Sequence, residues 1–118
     1  MTRRLSPQTV DELDLLFRTL LEFRSKEGKR LPPYAEVVLF FLGKRQDCLA
    51  AMGELRETLD LPQPRTSRIC AALEKNGLVQ LYPSVEDRRS VIVKLTDKGL
   101  RLIDKTISAY RSRDKQNI

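Results

Sequence analysis

The chain has 118 residues, 41% of them apolar, with 22 Lys plus Arg against 16 Asp plus Glu, a formal charge of +6 and an isoelectric point near 9.6. That composition suits one compact domain rather than a disordered chain, and its basic balance favours a polyanionic partner, nucleic acid ahead of an anionic membrane surface. The absence of histidine removes the commonest general base and metal ligand, and two cysteines, Cys48 and Cys70, are too few to staple a domain of this size.

A first helix is expected over about Ser6 to Lys26. Ser6 can cap it, Pro7 suits its first position, and Thr9-Val10-Asp11-Glu12 also has capping-box spacing. Val10, Leu13, Leu16, Phe17, Leu20 and Leu21 form its main apolar stripe at helical spacing, and Leu15 and Phe23 fall off that stripe. Two readings stay open for a helix apolar on more than one face: thorough burial, or a second partner surface such as a dimer contact.

Gly28-Lys29-Arg30 breaks this helix, and Pro32-Pro33 opens the next, expected from Pro33 to Lys44 with Val37, Val38, Phe40, Phe41 and Leu42 as its core. A third helix lies within Leu49 to Leu59, with Met52, Leu55 and Leu59 inward, Asp47 as an early cap and Gly53 weakening its middle. A fourth begins near Pro62 to Pro64, where a first turn tolerates proline, and stops at Asn76-Gly77. Its inner stripe is Thr66, Ile69, Cys70 and Leu73. Pro64, Ser67, Arg68, Ala71 and Lys75 lie opposite, a face of small residues and positive charge.

The period then changes to that of strands. Leu78 to Tyr82 and Ser90 to Leu95 read as two strands joined by the polar hairpin Pro83 to Arg89. Thr96-Asp97 caps a last helix carrying Leu100, Ile103, Ile107 and Tyr110, with a polar tail expected to fray from Arg111.

The expected fold is mainly α with a small β-hairpin: a winged helix-turn-helix in one domain over residues 1–118. An N-terminal helix occupies about 1–30, the winged-helix core 33–95, and the C-terminal helix and tail 96–118, the two end helices forming a dimer surface. A helix pair with a short connection can place its second helix in a major groove, and the hairpin after it can reach adjacent backbone or minor groove. Charge falls where that geometry needs it: Arg65, Arg68 and Lys75 on the fourth helix, Arg88 and Arg89 on the hairpin. Asp87 is expected to hold a neighbouring arginine rather than touch DNA, because phosphate repels a carboxylate. Tyr34, Tyr82 and Tyr110 are spread singly and form no base-stacking platform. Cys70 sits on an inner stripe and reads as a small core hydrophobe; Cys48 is less constrained.

Leu73-Glu74-Lys75-Asn76-Gly77-Leu78-Val79, then Glu86-Asp87-Arg88-Arg89-Ser90, then Leu95-Thr96-Asp97-Lys98-Gly99 resemble the bacterial multiple-antibiotic-resistance regulator (MarR) family, over roughly residues 34 to 108. The resemblance implies a major-groove recognition helix, here Gln63, Pro64, Arg65, Ser67 and Arg68. It also implies an Asp-x-Arg wing, here Asp87 and Arg89, with Arg88 as a backbone contact. Pro62 stands where the family often has a capping Ser, and Thr66 where it often has an aliphatic core residue. The chain runs only a short way past the wing and is read as a short form of the family, which usually has a longer C-terminal helical pair.

The function expected is sequence-specific binding of double-stranded DNA by a homodimer that regulates transcription as a repressor. Dimerisation follows because one recognition helix covers few base pairs. The alternative is a winged-helix protein-interaction module or adaptor, which would call for an acidic or apolar recognition face. Without histidine, a Gly-rich phosphate loop, a nucleophile motif or a metal cluster, no enzyme, cofactor or metal is expected. A small-molecule effector stays open as a partner, although nothing in the sequence supports one. The longest apolar stretch, Val37 to Leu42, is far short of a membrane span, and no apolar signal region follows the charged N-terminus. A cytoplasmic, nucleoid-associated place in a prokaryotic cell is therefore expected.

Overall fold

Ser6 opens the first helix as its hydroxyl chemistry dictates: its Oγ accepts the Thr9 N–H at 3.2 Å, and Pro7 occupies the first turn. In this computed structural model, which describes residues 4–87 and 89–116, that helix is α1 (Pro7–Glu27). There follow α2 (Ala35–Lys44), β1 (Leu49–Ala51), α3 (Met52–Leu59), α4 (Gln63–Lys75), β2 (Val79–Pro83), β3 (Val91–Leu95) and α5 (Asp97–Gln116). The strands form one antiparallel sheet in the order β1-β3-β2, with Ala50 opposite Val93 on one side and Leu81 opposite Val93 on the other. The fold is mainly helical with a small sheet, a winged helix, as the sequence periodicities indicate. Among the described residues no helix is long and apolar enough to cross a membrane.

The core lies where α2, α3, α4 and the sheet converge. Leu39, Leu42, Leu55, Ile69, Leu73 and Val93 are fully buried there. β1 is the element that the sequence hides. Leu-Ala-Ala carries no strand signature, and the strand exists because the free edge of β3 supplies its hydrogen-bonding partner. Consequently α3 starts only at Met52, and Ala51, not Asp47, holds the capping position, without a side-chain bond. α2 likewise starts at Ala35 rather than Pro33, because Tyr34 takes a left-handed conformation (φ 74°) that a helix cannot include. Its buried row is Ala35, Val38, Leu39 and Leu42; Val37 faces outward, and Phe40 and Phe41 are half-buried.

The first helix reverses the expected faces. Leu15, Thr19 and Phe23, one helical turn apart, are buried at 4–7% exposure, whereas Val10, Leu13, Leu16, Phe17, Leu20 and Leu21 remain 44–58% exposed. Thorough burial of α1 is thereby excluded. The narrow row wins because α5 packs against it and brings a polar clasp. The Arg113 guanidinium donates to Thr19 Oγ1 at 3.0 Å and pairs with Glu22. The same clasp carries α5 through Arg111 to Gln116, in place of the frayed tail that its polar sequence suggests.

Two motifs that are separate in sequence meet at the start of α5. Gly77, at φ +74°, ends α4, and its carbonyl accepts the Thr96 hydroxyl at 2.5 Å. Thr96 Oγ1 in turn accepts the Gly99 N–H at 3.1 Å, and Lys98 Nζ donates to Asn76 O at 2.9 Å. Gly99 lies so close to the Leu78 carbonyl that a Cβ would come within 2.2 Å of its oxygen. Gly99→Ala should therefore destabilise the chain by about 1–3 kcal/mol, read from the urea midpoint, as overpacking against fixed backbone does.

The α1–α5 clasp should also be visible in pH. Hydrogen bonds from Lys26 and Arg113 lower the Glu22 pKa from 4.5 to about 2. A depressed carboxylate stabilises the fold fully above its unfolded pKa and loses that contribution as pH falls through its folded one. Between pH 5 and pH 2 the melting temperature of the native chain should therefore fall more than that of Glu22→Gln. Parallel curves would show that the clasp contributes nothing.

Candidate nucleic-acid interface

A short turn delivers α4. Asp60, left-handed at φ 52°, ends α3, and Leu61 N–H returns to Arg56 O at 3.0 Å. Pro62 occupies the capping position in extended conformation and offers no side-chain acceptor. Its carbonyl accepts both the Thr66 N–H and the Thr66 hydroxyl, each at 3.0 Å. The threonine at an aliphatic position is buried, and its hydroxyl is satisfied by the carbonyl of the unusual cap.

Thr66, Ile69, Cys70 and Leu73 form the buried row of α4, and the helix presents Pro64, Arg68, Ala71 and Lys75 to solvent on the opposite side. Gln63, Arg65 and Ser67 are exposed in its first turns. Ser67 flanks the outward row on the α3 side, its hydroxyl directed at Met52 Sδ (3.7 Å). Arg65 flanks it on the other side, its guanidinium carbon 4.5 Å from the centroid of the Tyr34 ring. At the far end Glu74 accepts the Leu81 N–H at 2.9 Å, which ties α4 to β2.

The wing between β2 and β3 is organised by Asp87. Its Oδ1 accepts the Arg89 N–H at 3.0 Å, its Oδ2 accepts the Ser90 hydroxyl at 3.2 Å, and its carbonyl accepts the Ser90 N–H at 2.9 Å. What Asp87 grips is therefore the main chain of Arg89, not its guanidinium, and the Arg89 side chain is left exposed. Arg88 lies outside the described residues.

Arg89, Ser90 and Val91 of the wing face Gln63, Thr66 and Ser67 of α4 and Met52, Gly53 and Arg56 of α3 across a cleft of about 380 Å³. The structure thus brings Gln63, Ser67 and Arg89 together, with Arg68 on the adjoining outward row. Lys75 stands at the opposite end of that row, and Arg65 faces away from the cleft toward α2. Arg56 belongs to the cleft, yet in the sequence it is one charge among several in a helix of uncertain start. Its place one turn before the α3–α4 connection is the signal that could have found it. Cys70 is sealed in the core, where burial pushes its thiol up to about 11, so it stays protonated and inert as the inner-stripe position implies.

A three-helix unit with a turn before an exposed basic helix, closed by a two-stranded wing, defines a winged helix-turn-helix protein. Residues 37–90 match the family model described as the MarR family. An uncharacterized HTH-type transcriptional regulator of Bacillus subtilis, YhbI, is 36% identical over 59 residues. That match spans 50% of this chain and 38% of the relative. Among solved structures, a transcriptional regulator of Thermotoga maritima superposes with a TM-score of 0.73 at 21% identity, covering 93% of this chain and 77% of that one. A MarR family transcriptional regulator of Streptomyces coelicolor, solved in complex with DNA, superposes with a TM-score of 0.66 at 22% identity, covering 99% and 77%. The resemblance read from the sequence is borne out over residues 37–90, which match the MarR family model, and the winged-helix fold is shared with these solved regulators.

Proposed function

We propose that this chain is a sequence-specific double-stranded-DNA-binding transcriptional regulator, a non-enzymatic repressor acting as a homodimer. One winged helix-turn-helix unit spans the chain, with α1 and α5 flanking its core. The observation that carries the reading is the cleft of about 380 Å³ joining the first turns of α4 to the wing, rimmed by Gln63, Ser67, Arg56 and Arg89, with Arg68 on the adjoining exposed row of α4. A major groove about 12 Å wide admits one helix, and the outward row of α4 is slim enough to enter it. Arg68 lies on that row and is the base reader. Gln63, Pro64 and Ser67 line the approach, Lys75 meets backbone at the far end, and Arg89, with Arg88 beside it, lies at the adjacent minor groove. That a regulator of the same fold was solved in complex with DNA supports DNA binding, by analogy of fold. A basic, small-residue face favours DNA over a protein partner.

Selection from a random duplex pool should return paired half-sites about 10 base pairs apart. Arg68→Ala should weaken binding to the selected site by about 1–3 kcal/mol per half-site and relax its base preference. Arg89→Ala should leave the melting temperature unchanged. It should weaken binding to all sequences and make the salt dependence shallower by about one unit for each phosphate that the arginine neutralises. An Arg89→Ala variant that melts earlier yet binds DNA normally would assign that arginine to the fold instead.

The dimer is supported by the outer face of α1. Six large apolar side chains there are about half exposed, with Leu100 and Ile107 of α5 also exposed. A second copy would cover that face. The chain should sediment as a dimer at about 10 µM, where interfaces of ordinary size hold. Phe17→Glu and Leu20→Glu, on exposed positions, should convert it to a folded monomer with weakened DNA binding. Monomeric native protein would overturn the assignment.

A further inference from the structure

Tyr34 belongs neither to α4 nor to the wing, and as one of three scattered tyrosines it carries no motif. Its backbone is left-handed, a conformation that bulky residues rarely adopt. The turn is nonetheless held on both sides. The Pro32 carbonyl accepts the Ala35 N–H at 3.2 Å and both terminal nitrogens of Arg24 at 3.2 and 3.3 Å, and Arg24 pairs with Glu36 at 3.1 Å. The Tyr34 carbonyl accepts the Val37 and Val38 N–H groups that begin α2. The ring is thus presented from a fixed frame, yet it is 45% exposed and contributes little to the core. What it meets is Arg65, at 4.5 Å.

We propose that Tyr34 is a positioning residue that holds Arg65 ready as an anchor for a DNA phosphate on the α2 side of the recognition helix. The inference rests on the DNA-binding reading given above. A guanidinium held over an aromatic face by cation–π attraction still carries N–H donors that match phosphate geometry. Arg65 lies about a quarter turn from the outward row of Pro64, Arg68, Ala71 and Lys75, so it fits the strand flanking the groove rather than the base edges. Immobilising a long side chain before binding removes an ordering cost that association would otherwise incur. This assigns to Arg65 a contact with backbone, where the resemblance groups it with the base-facing positions.

The test uses Tyr34→Gly, which removes the ring while relieving the left-handed strain, so the fold should survive. Tyr34→Phe keeps the ring and should bind as the native chain does. Tyr34→Gly should weaken binding to the selected site and to random duplex alike, by about two- to fivefold for each half-site, with base preference unchanged. In an Arg65→Ala background the same substitution should change nothing, and ¹⁵N relaxation at Arg65 Nε should show the side chain loosened by Tyr34→Gly alone. Equal losses with and without Arg65, tighter binding, or an altered base preference would each overturn the assignment. If the native chain bound no duplex at all, the DNA-binding reading would fall and the anchoring role with it. The relaxation measurement, made without DNA, would still report whether Tyr34 holds Arg65.

Discussion

Gly99 against the Leu78 carbonyl is the contact on which the architecture turns. The separation leaves no room for a Cβ unless the backbone shifts, so glycine lets α5 leave the sheet without strain. Around it, Thr96 bridges Gly77 O and the Gly99 N–H, and Lys98 closes on Asn76 O. These bonds join the end of α4, the start of β2 and the start of α5 in one small volume. Because the bonds are made to main-chain carbonyls and an N–H, they fix backbone position rather than side-chain packing, so a short polar motif ties three elements together.

The outward row of α4 owes its availability to a division of labour around the helix. Thr66, Ile69, Cys70 and Leu73 bury one side, and Glu74 ties the end to β2. The two flanks are then occupied by neighbours: Met52 of α3 beside Ser67, and Tyr34 beside Arg65. Pro64, Arg68, Ala71 and Lys75 face straight outward, a slim row of the kind a major groove can admit. The wing follows the same logic. Asp87 commits its carboxylate to the Arg89 N–H and the Ser90 hydroxyl, so the acid next to the arginines is engaged by the turn itself.

α1 shows how a helix with two apolar faces is resolved. Its wide stripe from Val10 to Leu21 has the greater apolar area, and area alone would bury it. The narrow row of Leu15, Thr19 and Phe23 docks instead, because only that side also satisfies Arg113 through Thr19 and Glu22. The wide stripe is left exposed, and it is the face on which the proposed dimer rests.

Much was legible in the residues themselves. The 3.6 period of α4, the Asn76-Gly77 stop, the polar hairpin and the Ser6 cap are local, and local chemistry settles them whatever the surroundings. The buried row of α4 and its basic opposite face followed from spacing alone, as did the core place of Cys70. Tertiary structure decided what depends on partners distant in sequence. β1 exists only because β3 offers an edge, Arg56 joins Arg89 only because α3 and the wing face one cleft, and Tyr34 meets Arg65 only across the α1–α2 turn. The choice between the faces of α1 was likewise beyond the sequence. Periodicity reports that a face is apolar, but which apolar face is covered depends on the shape and hydrogen-bonding needs of whatever packs against it.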